Sequence, residues 1–113
     1  MQVHVTFRHM ESSDAVKEYV QSKTEKFKKF LHEPIEVHMV LEVQKLTHKA
    51  EVTVIAKNVR YHGVEESPNL YASIDLVSEK MERQLRKHKE IVKEHKHTAS
   101  TYEAAQALNG SAE

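Results

Sequence analysis

Apolar and polar side chains alternate over the first residues of the chain: Val3, Val5 and Phe7 fall on one side of an extended segment, His4, Thr6 and Arg8 on the other. That two-residue period predicts a half-buried strand over 2–8. Ser12-Ser13-Asp14 follows with helix-capping chemistry. Val16, Val20, Phe27 and Leu31 then recur at helical spacing, with Tyr19 and Phe30 at the edges of the stripe. A helix over roughly 13–31 is expected, closed off by Pro34, which has no amide hydrogen to continue it. The period returns to two at Ile35. Ile35, Val37, Met39, Leu41 and Val43 share one face; Glu36, His38, Val40, Glu42 and Gln44 share the other. After a turn at 45–48, Ala50, Val52, Val54 and Ala56 alternate again. Lys57-Asn58 fits a tight hairpin turn because Asn tolerates positive φ, and a further strand is expected from Val59 to about Glu66. Ser67-Pro68 then opens a long helix, proline being tolerated in a first turn. Its buried stripe is Leu70, Ile74, Val77, Met81, Leu85 and Val92, and the pattern runs to about Lys96.

The element order is β-α-β-β-β-α. A strand, a helix and a second strand predict a right-handed parallel crossover, and the following strands an antiparallel meander. Each strand has one apolar face and each helix one apolar stripe. The expected fold is therefore of the α+β class, with two helices packed on one face of a four-stranded mixed sheet. The other sheet face stays in water and carries His4, Thr6, Arg8, His38, Thr53, Arg60 and His62. One domain is expected over 1–97. A flexible C-terminal tail is expected over 98–113, where Tyr102 and Leu108 are the only bulky apolar side chains.

Composition narrows the function classes. With 113 residues, 39% apolar and 30% charged, the chain has the make-up of an ordinary globular domain. No apolar run approaches the ~20 residues of a membrane-spanning helix. Met1-Gln-Val-His-Val has no basic region leading into an apolar block, so no signal peptide is expected and the cytoplasm is the natural compartment. The lack of cysteine excludes disulfides, thiolate metal sites and a cysteine nucleophile together. Gly63 and Gly110 are the only glycines, too few for the loops that cradle phosphates in P-loop or dinucleotide sites. Any phosphate bound here is held by side chains.

Charge supplies the candidate chemistry. Lys+Arg and Asp+Glu are balanced at 17 each, yet between Lys80 and His97 seven Lys/Arg stand against three Glu. On the last helix Lys80, Arg83 and Lys87 recur at i, i+3 and i+7 and project from one side, with Arg86 and Lys89 nearby. Lys23, Lys26, Lys28 and Lys29 form a second cluster on the first helix, opposed by Glu25. With both helices on one face of the sheet, the clusters are expected to share one basic surface or groove for a polyanion such as nucleic acid. Glu11, Asp14, Glu18, Glu36, Glu42, Glu65 and Glu66 lie elsewhere and make the molecule dipolar. A mixed Lys/Arg set suits phosphate-backbone binding better than base reading. A merely solvated helical face carries the same charge pattern, and Tyr19, Phe27 and Phe30 are assigned to the core rather than to base stacking.

The nine histidines raise the question of a metal, most of all at His95-Lys96-His97. Side chains at i and i+2 of a helix point about 200° apart, and lysines flank this pair. The strand histidines His4, His38 and His62 are expected to face water. No metal and no cofactor is assigned. Catalysis is not assigned either: no nucleophile elbow or convergent carboxylate pair is present, and Asp75 is expected to act as a cap or ion-pair partner.

The segment Tyr71-Ala-Ser-Ile-Asp-Leu-Val-Ser-Glu-Lys-Met-Glu-Arg-Gln-Leu-Arg-Lys-His-Lys89 resembles the signature of the ribosome hibernation-promoting factor and ribosome-associated inhibitor family, in its short form of the sigma-54 modulation protein type. Tyr71, Ala72, Ile74, Asp75, Lys80, Arg83, Gln84, Leu85, Lys87 and Lys89 match the pattern; Ser73 and Met81 are mild replacements, and Arg86 stands at a variable position. Met1-Gln-Val-His-Val-Thr is similar to the family's first strand and residues 40–48 to its meander, so the likeness covers roughly 1–96. It implies a non-enzymatic protein that binds the small (30S) subunit and its 16S rRNA in the channel of messenger and transfer RNA. Such a protein blocks translation sterically in stationary phase or stress, with 70S ribosomes paired as 100S dimers as one outcome. It implies no membrane and no small-molecule substrate. The rRNA-binding positions carried over are Lys80, Arg83, Arg86, Lys87 and Lys89, with Lys23, Lys26, Lys28 and Lys29 as companions. The chain is too short for the second domain of long members. Its extension holds only Glu103 and Glu113 as acidic residues, a poor match to inhibitor-type tails. The alternatives are a free-standing double-stranded RNA binding module and, from another class, a small metal-dependent hydrolase using histidines.

Overall fold

A computed structural model describes residues 1–94. Its elements run β1 (Gln2–Arg8), α1 (Asp14–Thr24), a 3-10 turn (Glu25–Lys29), β2 (Glu36–Gln44), β3 (Thr47–Ala56), β4 (Val59–Ser67) and α2 (Leu70–Glu94). The strands form one sheet in the order β1-β2-β3-β4. β1 pairs with β2 in parallel, Val3 beside Val37 and Phe7 beside Leu41, while β2–β3 and β3–β4 are antiparallel. The expected α+β fold and its mixed sheet are what the chain adopts.

Register puts most of the apolar residues of the four strands on one side. Val37 faces Val54 and Met39 faces Val52, which in turn faces Gly63. Both helices cover that side: Val16, Val20 and Phe27 from the first, Ile74, Val77, Met81 and Leu85 from the second, join Val37, Met39, Leu41, Val52 and Val54 in one buried cluster. Burying such side chains is worth roughly 1.5–3 kcal/mol each and is the main force holding the layers together. At Gly63 α2 packs closely on the sheet: a Cβ there would lie 3.6 Å from Val77 Cγ2 and 3.8 Å from Met81 Cε.

The element boundaries differ from the periodicity in three places. The first helix is regular only to Thr24 and continues as a tighter 3-10 turn. The Thr24 hydroxyl is buried and donates to the Val20 carbonyl at 2.9 Å, the back-bonding that disturbs a regular helical ladder. The β2–β3 turn shrinks to Lys45-Leu46, since Gln44 pairs with Thr47 and Lys45 takes a positive φ of 57°. Asn58 at φ 63° closes the other hairpin as expected. The long helix starts at Leu70 rather than at Pro68, because Asn69 is its cap and accepts the Ala72 amide at 3.1 Å. Ser73 also does more than a mild replacement would. It is fully buried and its hydroxyl donates to the His48 carbonyl at 2.6 Å, fastening the start of α2 to β3. The expected tail over 98–113, with the histidines at 95 and 97, lies outside the described residues.

Candidate nucleic-acid interface

The two basic clusters meet at the seam between α1 and α2. Lys23 Nζ lies 3.4 Å from Asp75 Oδ1, and Lys26 Nζ lies 3.3 Å from Glu82 Oε1. Asp75 and Glu82 are seven residues apart, two turns along α2, so they present to α1 from the same side. Tyr19 strengthens the seam: its hydroxyl donates to Asp75 at 2.5 Å and its ring meets Tyr71 edge-on, centroids 4.8 Å apart. Hydrogen bonding to Asp75 raises the Tyr19 hydroxyl above its ordinary pKa, and the same carboxylate raises Lys23. Both shifts favour the protonated forms seen here.

Near the far end of the seam the cations gather. Arg86 reaches the second oxygen of Glu82 at 3.5 Å and stands over the Phe30 ring, 5.9 Å from its centroid. Lys89 crosses to the 3-10 turn and donates to the Lys29 carbonyl at 2.9 Å. Lys26, Lys29, Arg86 and Lys89 therefore share one band. Lys28 pairs with Glu25 at 2.7 Å, which raises its pKa. The other three predicted residues continue around the exposed side of α2 toward β4. There Lys80 turns toward the β4 edge of the sheet and lies 3.6 Å from Glu65, with Arg83 and Lys87 exposed beside it at helical spacing.

The cationic residues thus fan out from the α1 seam across the exposed side of α2 toward β4. The carboxylates that temper them, Asp75, Glu82 and Glu65, include partners that the sequence pattern places elsewhere or in local i, i+3 pairs. Heptad-like spacing of Asp75 and Glu82 is the available signal. Such exposed pairs are individually weak, about 0–1 kcal/mol. Among the described residues Lys29, Arg83, Lys87 and Lys89 have no carboxylate partner, so of the predicted set their charge is the least compensated.

A cationic helical layer on one face of a four-stranded mixed sheet, with the opposite face open, defines a two-layer β-α-β-β-β-α domain of the α+β class. Residues 3–106 match the family model described as sigma 54 modulation protein / S30EA ribosomal protein. The chain belongs to that family, whose members are non-enzymatic binding proteins. It is 34% identical to the ribosome hibernation promoting factor of Escherichia coli K12, covering 84% of this chain and all of that protein. It is 46% identical to the ribosome hibernation promotion factor of a Picosynechococcus strain, across 69% of this chain but only 44% of that longer protein. Among solved structures it resembles the N-terminal domain of Thermus thermophilus Protein Y, with a TM-score of 0.73, 25% identity and coverage of 77% of this chain and 98% of that one. A ribosomal subunit interface protein from Coxiella burnetii shares the fold at a TM-score of 0.68 and 24% identity, over 79% of this chain and 98% of that one. Among the described residues no helix is long and apolar enough to cross a membrane.

Proposed function

We propose that the chain is a cytoplasmic ribosome hibernation factor. It binds the small (30S) subunit through 16S rRNA in the channel of messenger and transfer RNA and inhibits translation by occupying that space in stationary phase or stress. Pairing of 70S ribosomes into 100S dimers follows in this reading. The observation that carries it is the cationic layer itself: two helices tied side by side present Lys26, Lys29, Arg86 and Lys89 along their seam and Lys80, Arg83 and Lys87 on the adjoining exposed side of α2. That suits neutralisation of RNA phosphates, and relatives covered end to end by this chain bear the hibernation name. Binding by such a surface releases counterions and weakens as salt rises.

A sucrose gradient of ribosomes with and without the protein tests this. The protein is expected to travel with small subunits and 70S ribosomes and to shift part of the 70S peak to 100S. Replacing Lys80, Arg83 and Lys87 with Glu is expected to abolish cosedimentation while circular dichroism stays unchanged. A folded triple variant that still binds ribosomes would overturn the assignment of these residues. Comparable affinity for a plain RNA duplex and for ribosomes would favour a free-standing double-stranded RNA module instead, a reading drawn from the α-β-β-β-α core.

A further inference from the structure

The open face of the sheet carries a second cluster, opposite the basic helices. Strand register sets His4 beside His38 and continues that row through Thr53 to His62. The His4 and His38 rings stack, with centroids 4.9 Å apart and planes 15° from parallel. Glu36 lies two residues before His38 on the same strand and hence on the same face; its carboxylate oxygen is 3.6 Å from His38 Nε2. One donor atom from each of His4, Glu36 and His38 lies within 4.8 Å of the other two.

We propose that His4, Glu36 and His38 bind a borderline divalent transition ion of the zinc class. Two imidazoles and a carboxylate make a three-ligand set that zinc accepts, with a fourth position left for water or an external ligand. Bond lengths of about 2.0–2.2 Å put tetrahedral ligand atoms roughly 3.4 Å apart. The three donors therefore close by little more than about 1 Å, within reach of side-chain torsions alone. The backbone beneath them is a paired sheet, so the Cα positions are set before the ion arrives, while the stacked rings turn about their side-chain torsions to aim their nitrogens at it. The in-register neighbours on this face, Gln2, Thr6, Val40, Thr53 and Ile55, carry no charge; Arg60 follows beyond Ile55, and Lys17 of α1 borders His4. Glu51 is already engaged by His62 at 2.5 Å and does not draw His38 away. This site does not rest on the ribosome reading, since it occupies the other side of the sheet.

The test is zinc titration of the full chain by calorimetry, combined with NMR of the imidazole nitrogens. A variant carrying both His95→Ala and His97→Ala controls for binding near the C-terminus. One equivalent of zinc is expected in both proteins, with the His4 and His38 resonances shifting on binding. His38→Ala and Glu36→Gln are each expected to weaken zinc binding about tenfold or more, since loss of even an outer-shell partner costs 10–100-fold. His4 and His38 resonances that stay unmoved at saturating zinc would overturn the site, as would undiminished affinity in His38→Ala. The resonance measurement uses the unaltered protein, so it decides the question even where a variant misfolds.

Discussion

Tyr19 donates a 2.5 Å hydrogen bond to Asp75 across the α1–α2 seam, and the accepting oxygen also lies 3.4 Å from Lys23. One carboxylate on α2 thus holds a phenol and an ammonium from α1. Charge-assisted hydrogen bonds are the stronger kind, and this one has a partly buried donor. A double-mutant cycle of Tyr19→Phe and Asp75→Asn, followed by urea unfolding, is expected to give a coupling of about 1 kcal/mol. Additive effects would mean that the seam is held by packing alone.

Ser78 offers the opposite case. It faces the core at 1% exposure, and among the described residues its hydroxyl has no hydrogen-bond partner. An unsatisfied buried hydroxyl carries a desolvation penalty, and Ala is the better helix former. Ser78→Ala is expected to stabilise the protein by about 1 kcal/mol, read as a higher urea midpoint at an unchanged slope.

His88 makes stability depend on pH. Its ring lies edge-on to buried Tyr61, centroids 5.7 Å apart, and burial pushes its pKa below the ordinary histidine value. In the unfolded chain the imidazole takes up a proton near pH ~6.5. As pH falls below that point the unfolded state binds the proton first, so this group costs stability until the folded pKa is passed. His88→Phe keeps the edge contact and cannot titrate. Thermal melts from pH 7.5 to 5 are expected to show a smaller loss for the variant than for the parent.

Gly63 faces α2 with ordinary contact distances around an added Cβ, 3.6 Å being the shortest. Gly63→Ala is therefore expected to change stability by less than about 1 kcal/mol. Gly63→Val has no space for its two methyls between the sheet and Val77 and Met81. Overpacking of this kind costs about 1–3 kcal/mol, measurable by the same unfolding experiment.

The least compensated cations are expected to dominate RNA binding. Replacing Arg83 or Lys87 with Gln should each lower the slope of log affinity against log salt by about 1. Lys80→Gln should do less, because Glu65 already tempers that charge. Filter binding to small subunits over a salt series distinguishes the two.

The elements are legible in the sequence because each has a single apolar side. Val37, Met39 and Leu41 on β2, and Ile74, Val77, Met81 and Leu85 on α2, are buried as their spacing requires. The parallel start followed by a meander comes from element order. What escapes a sequence reading is whatever depends on partners distant along the chain. Glu82 is legible as an i+3 neighbour of Glu79 and a neighbour of Arg83, but its pairing with Lys26 follows from how α1 lies on the sheet. Ser73 passes for a neutral substitution, although its hydroxyl meets a carbonyl 25 residues away. His4 and His38 each alternate onto a wet face; only the parallel register makes them neighbours.

Glu82 carries a consequence of its own. It holds Lys26 on one oxygen and Arg86 on the other, at 3.3 and 3.5 Å. Long cationic side chains normally lose about 2 kcal/mol of rotamer freedom when a ligand fixes them. Here an internal carboxylate already engages two of them, and in the proposed function it would hold the place of an RNA phosphate. On the proposed function, an arriving phosphate is expected to exchange with Glu82 instead of organising loose side chains from solution.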